Sequence, residues 1–450
     1  MNFFDIAILL FTLELIFNKF ISEKVFLYSL YLAVITSLAQ IFTVGYKWQY
    51  MPIYLIIFFY AIKYTSSFSL NNKLLRYSLF FIILIIYSIS FLTNFYLPIP
   101  EFTIQDKEYS VSYEEIHIVL DDREQPIAFS ELSNLEPSGK RELLVDIYYP
   151  SNDATEPIQL FKNSPSNWGE TVINYLNRTW GINLPTFLFS HLNLSYFDIG
   201  INLDPLPNKS PVIVYTHGWA GEKIFASDQL ITLASKGYVV IALDHTGLAM
   251  FTELPSGTIY NTGGTEESSK VFNVMLEMSI DIENTINYFM DNNNNYYYAD
   301  FNDISIIGHS TGGGSAHLYC LYNNCSTVIL QDPYFVPIVQ ELGSIDLNSE
   351  TYFIYSEDWY QGYEDNEQLS EIEVYRNYVN NKNFARGYYL NDSAHYDFVA
   401  FGSISSLTKY TFLKGTIDYE NSLTANNYFN LSAISRQDIN ETEFLTKINE

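Results

Sequence analysis

Residues 77–97 read YSLFFIILIIYSISFLTNFYL, an uncharged run long enough to cross a bilayer as one helix. Three more apolar stretches precede it, at about 3–18, 25–44 and 51–65. Unpaired backbone polar groups are too costly in hydrocarbon, so such runs must be helical if they enter a membrane. No polar face recurs along them, which argues against a helical core of a soluble protein. The third stretch is short and the first contains Asp5 and Glu14, so three spans with an interfacial first helix stand beside a count of four. A cleaved signal peptide fits poorly, because the start lacks basic residues and further apolar stretches follow. Lys19 and Lys24 fall in the first loop and Lys73 and Arg76 in the third, which puts both loops on the cytoplasmic side. With four spans, everything after Pro100 lies outside. Residues 1–100 are therefore expected to form an all-α transmembrane region of about four helices, and residues 101–450 a separate folded domain.

Charge divides at the same place. Residues 1–100 sum to +3 and the rest to −31, within a total of −28. An acidic outer domain repels nucleic acid and the anionic face of a cytoplasmic membrane, so a polyanionic partner is not expected. The two cysteines, Cys320 and Cys325, lie in CLYNNC. In an oxidising compartment they can close a small loop, and in the cytosol they would be two buried thiols.

Beyond Pro100, short apolar runs alternate with helical ones. Strand character marks 114–120, 141–150, 211–217, 238–245, 303–309, 326–332, 351–356 and 385–392, with helix-like segments at 224–235, 266–290, 311–322 and 364–380. This alternation predicts an α/β domain with a mostly parallel sheet, helices on both faces and an antiparallel start from the first two strands. Ligands of such sheets bind at the carboxyl ends of the strands. Two stretches break the pattern: 152–208, with candidate helices 167–178 and 184–192, which is large enough to be a cap, and the tail from about 420. DNNNNYYY (291–298) reads as a solvated loop.

At one of those carboxyl ends stands DISIIGHSTGGGSA (303–316). A β-branched run leads into Ser310 and a small-residue segment leads out, which is the strand, sharp turn and helix that hold a nucleophilic serine in a strained backbone. Such a serine needs a base. In this arrangement the order along the chain is serine, acid, histidine. Of the histidines only His317 and His395 follow Ser310, and His317 lies two turns up the same helix, pointing away. His395, in NDSAHYDF after the last strand-like run, is left as the candidate base. For the acid, Asp332 in VILQDPYF ends the strand after the nucleophile helix, and Glu357 and Asp358 in FIYSEDWY end the next one. Either position can hold the imidazole tautomer, whereas Asp392 and Asp397 are too close to His395 in sequence to orient it easily. An oxyanion needs two N–H donors. Thr311, after the nucleophile, offers one and Trp219, in VIVYTHGWAGEK, the other, with His217 as a loop-bracing residue. No cofactor is expected and no metal, since H-E-x-x-H and clustered Cys/His spacings are absent.

Taken together, RELLVDIYYP, SPVIVYTHGWAGEKIFASDQLITLASKGYVVIALDHTG, ISIIGHSTGGG, VILQDPYFVP, YFIYSEDWY and SAHYDF resemble the plasma-type platelet-activating-factor acetylhydrolases of the α/β-hydrolase superfamily, over most of 141–400. VGYKWQYMPIYL is similar to the membrane region of bacterial members with several spans before the hydrolase domain. The resemblance implies the α/β-hydrolase fold, the acid at Asp332, oxyanion donors at the backbone of Trp219 and Thr311, and calcium-independent hydrolysis of esters of short or oxidatively trimmed acyl groups. The acid loop DPYFVP departs from the family pattern, and 152–208 matches it only loosely. The expected protein is thus a membrane-anchored serine ester hydrolase with its catalytic domain outside the cytoplasm, acting on a lipid or small ester. Acyl transfer by the same triad is one alternative, and an inactive hydrolase-like binding module another. A transporter fits poorly, because the spans carry little intramembrane charge.

Overall fold

The computed structural model describes residues 2–66, 72–104, 106–136, 138–162, 167–265, 267–343, 347, 349–361, 371–380, 385–411 and 413–448. Part of the expected helix 364–380 lies outside them.

The chain opens with four helices: α1 (Phe3–Ile16), α2 (Glu23–Thr43), α3 (Met51–Thr65) and α4 (Lys73–Tyr96). Side-chain acceptors start three of them, Asn2 for α1, Ser22 for α2 and Asn72 for α4, where the free N–H groups of a first turn need partners. α2 and α4 are long and apolar enough to span a bilayer, and only 28% and 17% of their apolar windows are buried, unlike the core helices of a soluble protein. α1 and α3, with 14 and 15 residues, are shorter than a hydrocarbon core about 30 Å thick requires. A small cluster around Ile8, Leu15, Tyr50, Ile53 and Ile57 joins the helices. The Lys47 ammonium, donating to Asp5 Oδ2 at 3.0 Å with both side chains buried, ties the start of α1 to the segment before α3.

A ten-stranded sheet follows: β1 (Ser110–Glu124), β2 (Lys140–Ser151), β3 (Gly200–Ile201), β4 (Ser210–Thr216), β5 (Val239–Asp244), β6 (Ala299–His309), β7 (Thr327–Gln331), β8 (Glu350–Ser356), β9 (Ala385–Leu390) and β10 (Leu445–Lys447). Its spatial order is β10-β9-β8-β7-β6-β4-β5-β2-β1-β3. The strands from β9 to β5 run parallel, while β2 is antiparallel to both β1 and β5. Side chains alternate across it: Ile213 and Tyr215 of β4 enter one core cluster, Val212 and Val214 the other. Both faces are thus covered, as a mostly parallel sheet requires.

Helices α5 (Trp168–Trp180), α6 (Ser227–Ser235), α7 (Ser268–Asp291), α8 (Thr311–Tyr322) and α9 (Tyr419–Ile434) complete the frame relevant to the site. α5 and a 3-10 helix (Thr186–Leu194) occupy the segment expected as a cap, and this segment meets the N-terminal helices: Trp48 Nε1 donates to the Leu188 carbonyl and Gln159 Nε2 to the Val44 carbonyl. Cys320 and Cys325 form a disulfide at the end of α8.

Three regions depart from the sequence expectation. The tail contains the buried helix α9. Phe251–Leu254 and Gly257–Tyr260 form a short antiparallel hairpin that no strand-like run announced. The 291–298 loop is solvated only in part, since Tyr296 and Tyr298 are buried, the first edge-on to Phe289 and the second against Tyr149.

Candidate active site

Ser310 joins β6 to α8 with φ 58° and ψ −124°, a conformation costly for any side chain. The turn closes because its flanks are glycine. A Cβ on Gly308 would lie 2.3 Å from the Gly312 carbonyl oxygen, and one on Gly312 would lie 2.3 Å from that of Thr216 on β4. The Ser310 N–H donates to the Gln331 carbonyl at 2.9 Å, and the Ser310 carbonyl accepts from Gly313 and Tyr334. Oγ itself makes no hydrogen bond among the described residues, which leaves it available in the pocket.

Asp332 follows β7, also at positive φ (40°), with its side chain fully buried. Its Oδ1 accepts from the Ser356 N–H at 2.6 Å and its Oδ2 from the Ser356 hydroxyl at 2.6 Å, so the carboxyl is fixed from the next strand. The same Oδ2 lies 3.1 Å from Nδ1 of His395. Burial pushes the Asp332 carboxyl up, and the two Ser356 bonds pull against it. Burial likewise lowers the His395 imidazole. With Nδ1 donating to Asp332, the unprotonated nitrogen of a neutral His395 is Nε2, the form a base requires.

The imidazole is held on two sides. Trp359 stacks on it at 4.3 Å between centroids and 18° between planes, and His309 lies at 4.6 Å. His309 Nε2 donates to the His395 carbonyl at 2.9 Å, clamping the loop that carries the imidazole. The alternative acids are engaged elsewhere: Glu357 accepts from the Asp392 N–H, and Asp358 is exposed. Asp397 accepts from the N–H groups of Ala394 and Gly415 and braces the loop from within. His317 is buried against Phe335 and Tyr378, away from this cluster.

Ser310 and His395 line one narrow pocket of about 30 Å³ together with Gly218, Trp219 and Glu222. Among the described residues no hydrogen bond links Ser310 Oγ to His395; such bonds often tighten only in the complex with substrate. Gly218 passes so close to Ser310 that a Cβ there would lie 2.7 Å from that of the serine. Among the described residues, neither the Trp219 nor the Thr311 backbone N–H donates to another group, as free oxyanion donors would require.

The turn that presents Trp219 is braced from behind. His217 Nδ1 donates to the Gly218 carbonyl at 2.7 Å, and its Nε2 accepts from the His245 N–H at 3.1 Å. His245 in turn donates through Nδ1 to Asp281 at 3.0 Å, and Asp281 pairs with the buried Arg141, whose guanidinium keeps that carboxyl well below the usual range. Arg141 and Asp281 are 140 positions apart, and sequence reasoning missed them. It also missed Glu222 and Tyr215, two buried pocket residues each with a polar atom that has no hydrogen-bond partner among the described residues, Glu222 Oε1 and Tyr215 Oη. The other Glu222 oxygen accepts from Trp168 Nε1 at 3.1 Å, a link between the pocket and α5. Among the described residues no group of three or more His, Cys, Asp or Glu side chains is placed to hold a metal ion.

Comparison with known proteins agrees with this architecture. Residues 134–253 match the family model of platelet-activating factor acetylhydrolase, isoform II. That segment contains the Trp219 turn and ends before Ser310, Asp332 and His395. No curated protein matches the chain. Among solved structures it is similar to a ferulic acid esterase from Streptomyces cinnamoneus, with a TM-score of 0.58 at 17% identity over 78% of this chain and 99% of that one. A more distant likeness, with a TM-score of 0.38 at 12% identity over 72% of this chain and 99% of the other, is to a protein described as a dienelactone hydrolase from Klebsiella pneumoniae subsp. pneumoniae MGH 78578, and it adds nothing to the fold assignment. The ten-stranded sheet and the helices that cover it have the α/β-hydrolase fold.

Proposed function

We propose that this chain is a membrane-anchored serine ester hydrolase that works through an acyl-enzyme. One observation carries the reading: the buried Asp332 carboxylate meets His395 at 3.1 Å, and that imidazole shares a pocket with a serine held at positive φ. In the reaction, Ser310 Oγ attacks the ester carbonyl carbon while His395 Nε2 takes its proton. Asp332 holds the Nδ1–H and stabilises the imidazolium that forms. The backbone N–H groups of Trp219 and Thr311 receive the negative oxygen of the tetrahedral intermediate. His395 then gives its proton to the departing alcohol, and water attacks the acyl-Ser310 bond by the same route in reverse.

The family match over 134–253 supports an ester as substrate, and phospholipid or short-chain acyl esters are the class that the resemblance favours. Two long, outwardly apolar helices support anchoring in a membrane, where lipid esters are locally concentrated. The Cys320–Cys325 disulfide supports a catalytic part outside the cytoplasm. The test is turnover of p-nitrophenyl esters and short-chain phospholipids by the full chain in detergent, wild type against Ser310→Ala. Release of acid that disappears in the variant is expected; equal release by both removes the proposal.

A further inference from the structure

Three cations converge at the end of the helical bundle farthest from the sheet. Lys19 comes from the turn between α1 and α2, Lys63 from the last turn of α3 and Arg76 from the first turn of α4, and all three line one cavity of about 250 Å³. Phe20, Phe59 and Phe80 supply apolar wall. None of the three cations forms an ion pair among the described residues. The chain offers little to pair them with, since no acidic residue occurs between Glu23 and Glu101. Of the two nearby carboxylates, Glu14 accepts from the Ser29 hydroxyl, and Glu23 sits in the first turn of α2. The N-terminus of the 24-residue α4, whose dipole also favours an anion, opens beside Arg76.

All three cations are exposed, Lys19 over the Tyr77 ring and Lys63 over that of Tyr60, and three like charges on one cavity with no carboxylate among its lining residues attract an anion, so the geometry points to a binding site for a phosphate-bearing anionic lipid. The position fits. About twenty residues of α4 separate Arg76 from Tyr96, whose carbonyl accepts from Ser405, and at 1.5 Å per residue this is about 30 Å, the thickness of a hydrocarbon core. The three cations therefore reach the headgroup layer of the leaflet opposite the hydrolase part, with the phenylalanine side chains at the level of the first acyl carbons. The inference rests on the membrane reading of α2 and α4 and does not depend on the chemistry at Ser310.

The test uses the full-length protein purified in dodecyl maltoside. Dioleoylphosphatidylglycerol, dioleoylphosphatidylcholine and inorganic phosphate are each added to the wild type and to the triple variant Lys19→Gln/Lys63→Gln/Arg76→Gln. Lipid retention is read by native mass spectrometry and the thermal midpoint by fluorescence. Phosphatidylglycerol is expected to bind the wild type on the order of a hundredfold more tightly than phosphatidylcholine, and to raise the midpoint only in the wild type. Equal retention of the two lipids by the wild type overturns the inference, whether or not the variant folds. So does an unchanged preference in the variant, and so does stabilisation by inorganic phosphate equal to that by phosphatidylglycerol. Recovery of the wild type in the soluble fraction of lysed cells without detergent removes the membrane reading itself.

Discussion

The two parts of this molecule treat apolar side chains in opposite ways. In the sheet region, Val, Ile and Tyr side chains fill clusters on both faces, and large apolar groups seldom reach the surface. In the N-terminal helices the core is thin, while Tyr31, Ile35, Phe42, Phe58, Ile82 and Ile85 all point outward. Water makes the first arrangement favourable and the second costly, because burying apolar area is worth about 25 cal/mol per Å². The difference teaches that the two parts present different surfaces: α2 and α4 keep apolar side chains outward, as the proposed membrane anchoring requires, while the sheet region hides them from water.

Ser310→Ala gives the largest expected effect, a fall in ester turnover of about 10⁴-fold or more with the melting of the sheet region unchanged. Asp332→Asn comes next, at about 10⁴-fold in kcat, because it presents the wrong donor to His395 Nδ1. Both are read in steady-state assays, and neither should alter membrane association. Ile85→Arg tests the other side of the comparison. Ile85 is 58% exposed midway along α4, so in water the change would cost within about 0.5 kcal/mol, whereas in a bilayer it should cost about 3 kcal/mol of insertion. A glycosylation-reporter insertion assay separates the two outcomes.

Gly312→Ala is expected to destabilise the sheet region by about 1–3 kcal/mol, since the new methyl would meet the carbonyl oxygens of Thr216 and His217; denaturant melts check it. The smallest effect concerns pH. His395 must be neutral to act, and burial lowers its imidazole. Activity is then retained below the ordinary histidine value of about 6.5 and lost as pH falls through the lowered one. An acid limb above pH 7 in kcat/KM contradicts that electrostatic account.

Legibility in the sequence followed the type of signal. The β-branched runs at 211–217 and 303–309 named β4 and β6 because strands buried on both faces need continuous apolar character. The turn at Ser310 could be read because only glycine fits beside it. The sequence left the acid open between Asp332 and the Glu357–Asp358 pair on physical grounds. The resemblance favours Asp332, and the contact that brings its Oδ2 to His395 Nδ1 bridges 63 positions, beyond the reach of any local pattern. α9 escaped notice for another reason. Its buried face includes Asn426 and Asn430, whose amides donate to Gln229 Oε1 and whose carbonyl oxygens accept from Gln331 Nε2, so a core-facing helix looks polar in sequence. Tyr296 and Tyr298 were hidden by the asparagines before them, and Glu222 by a partner, Trp168, in a segment whose sequence suggests no fixed contact.

The central claim is that Ser310 is the nucleophile. Its most direct measurement is the site of covalent labelling when the full-length protein in native membranes is treated with a fluorophosphonate probe and mapped by peptide mass spectrometry. A single adduct on Ser310, lost in Ser310→Ala and strongly slowed in His395→Ala, is the expected result. A folded wild type that takes up no label, or an adduct that persists in Ser310→Ala, would contradict the account.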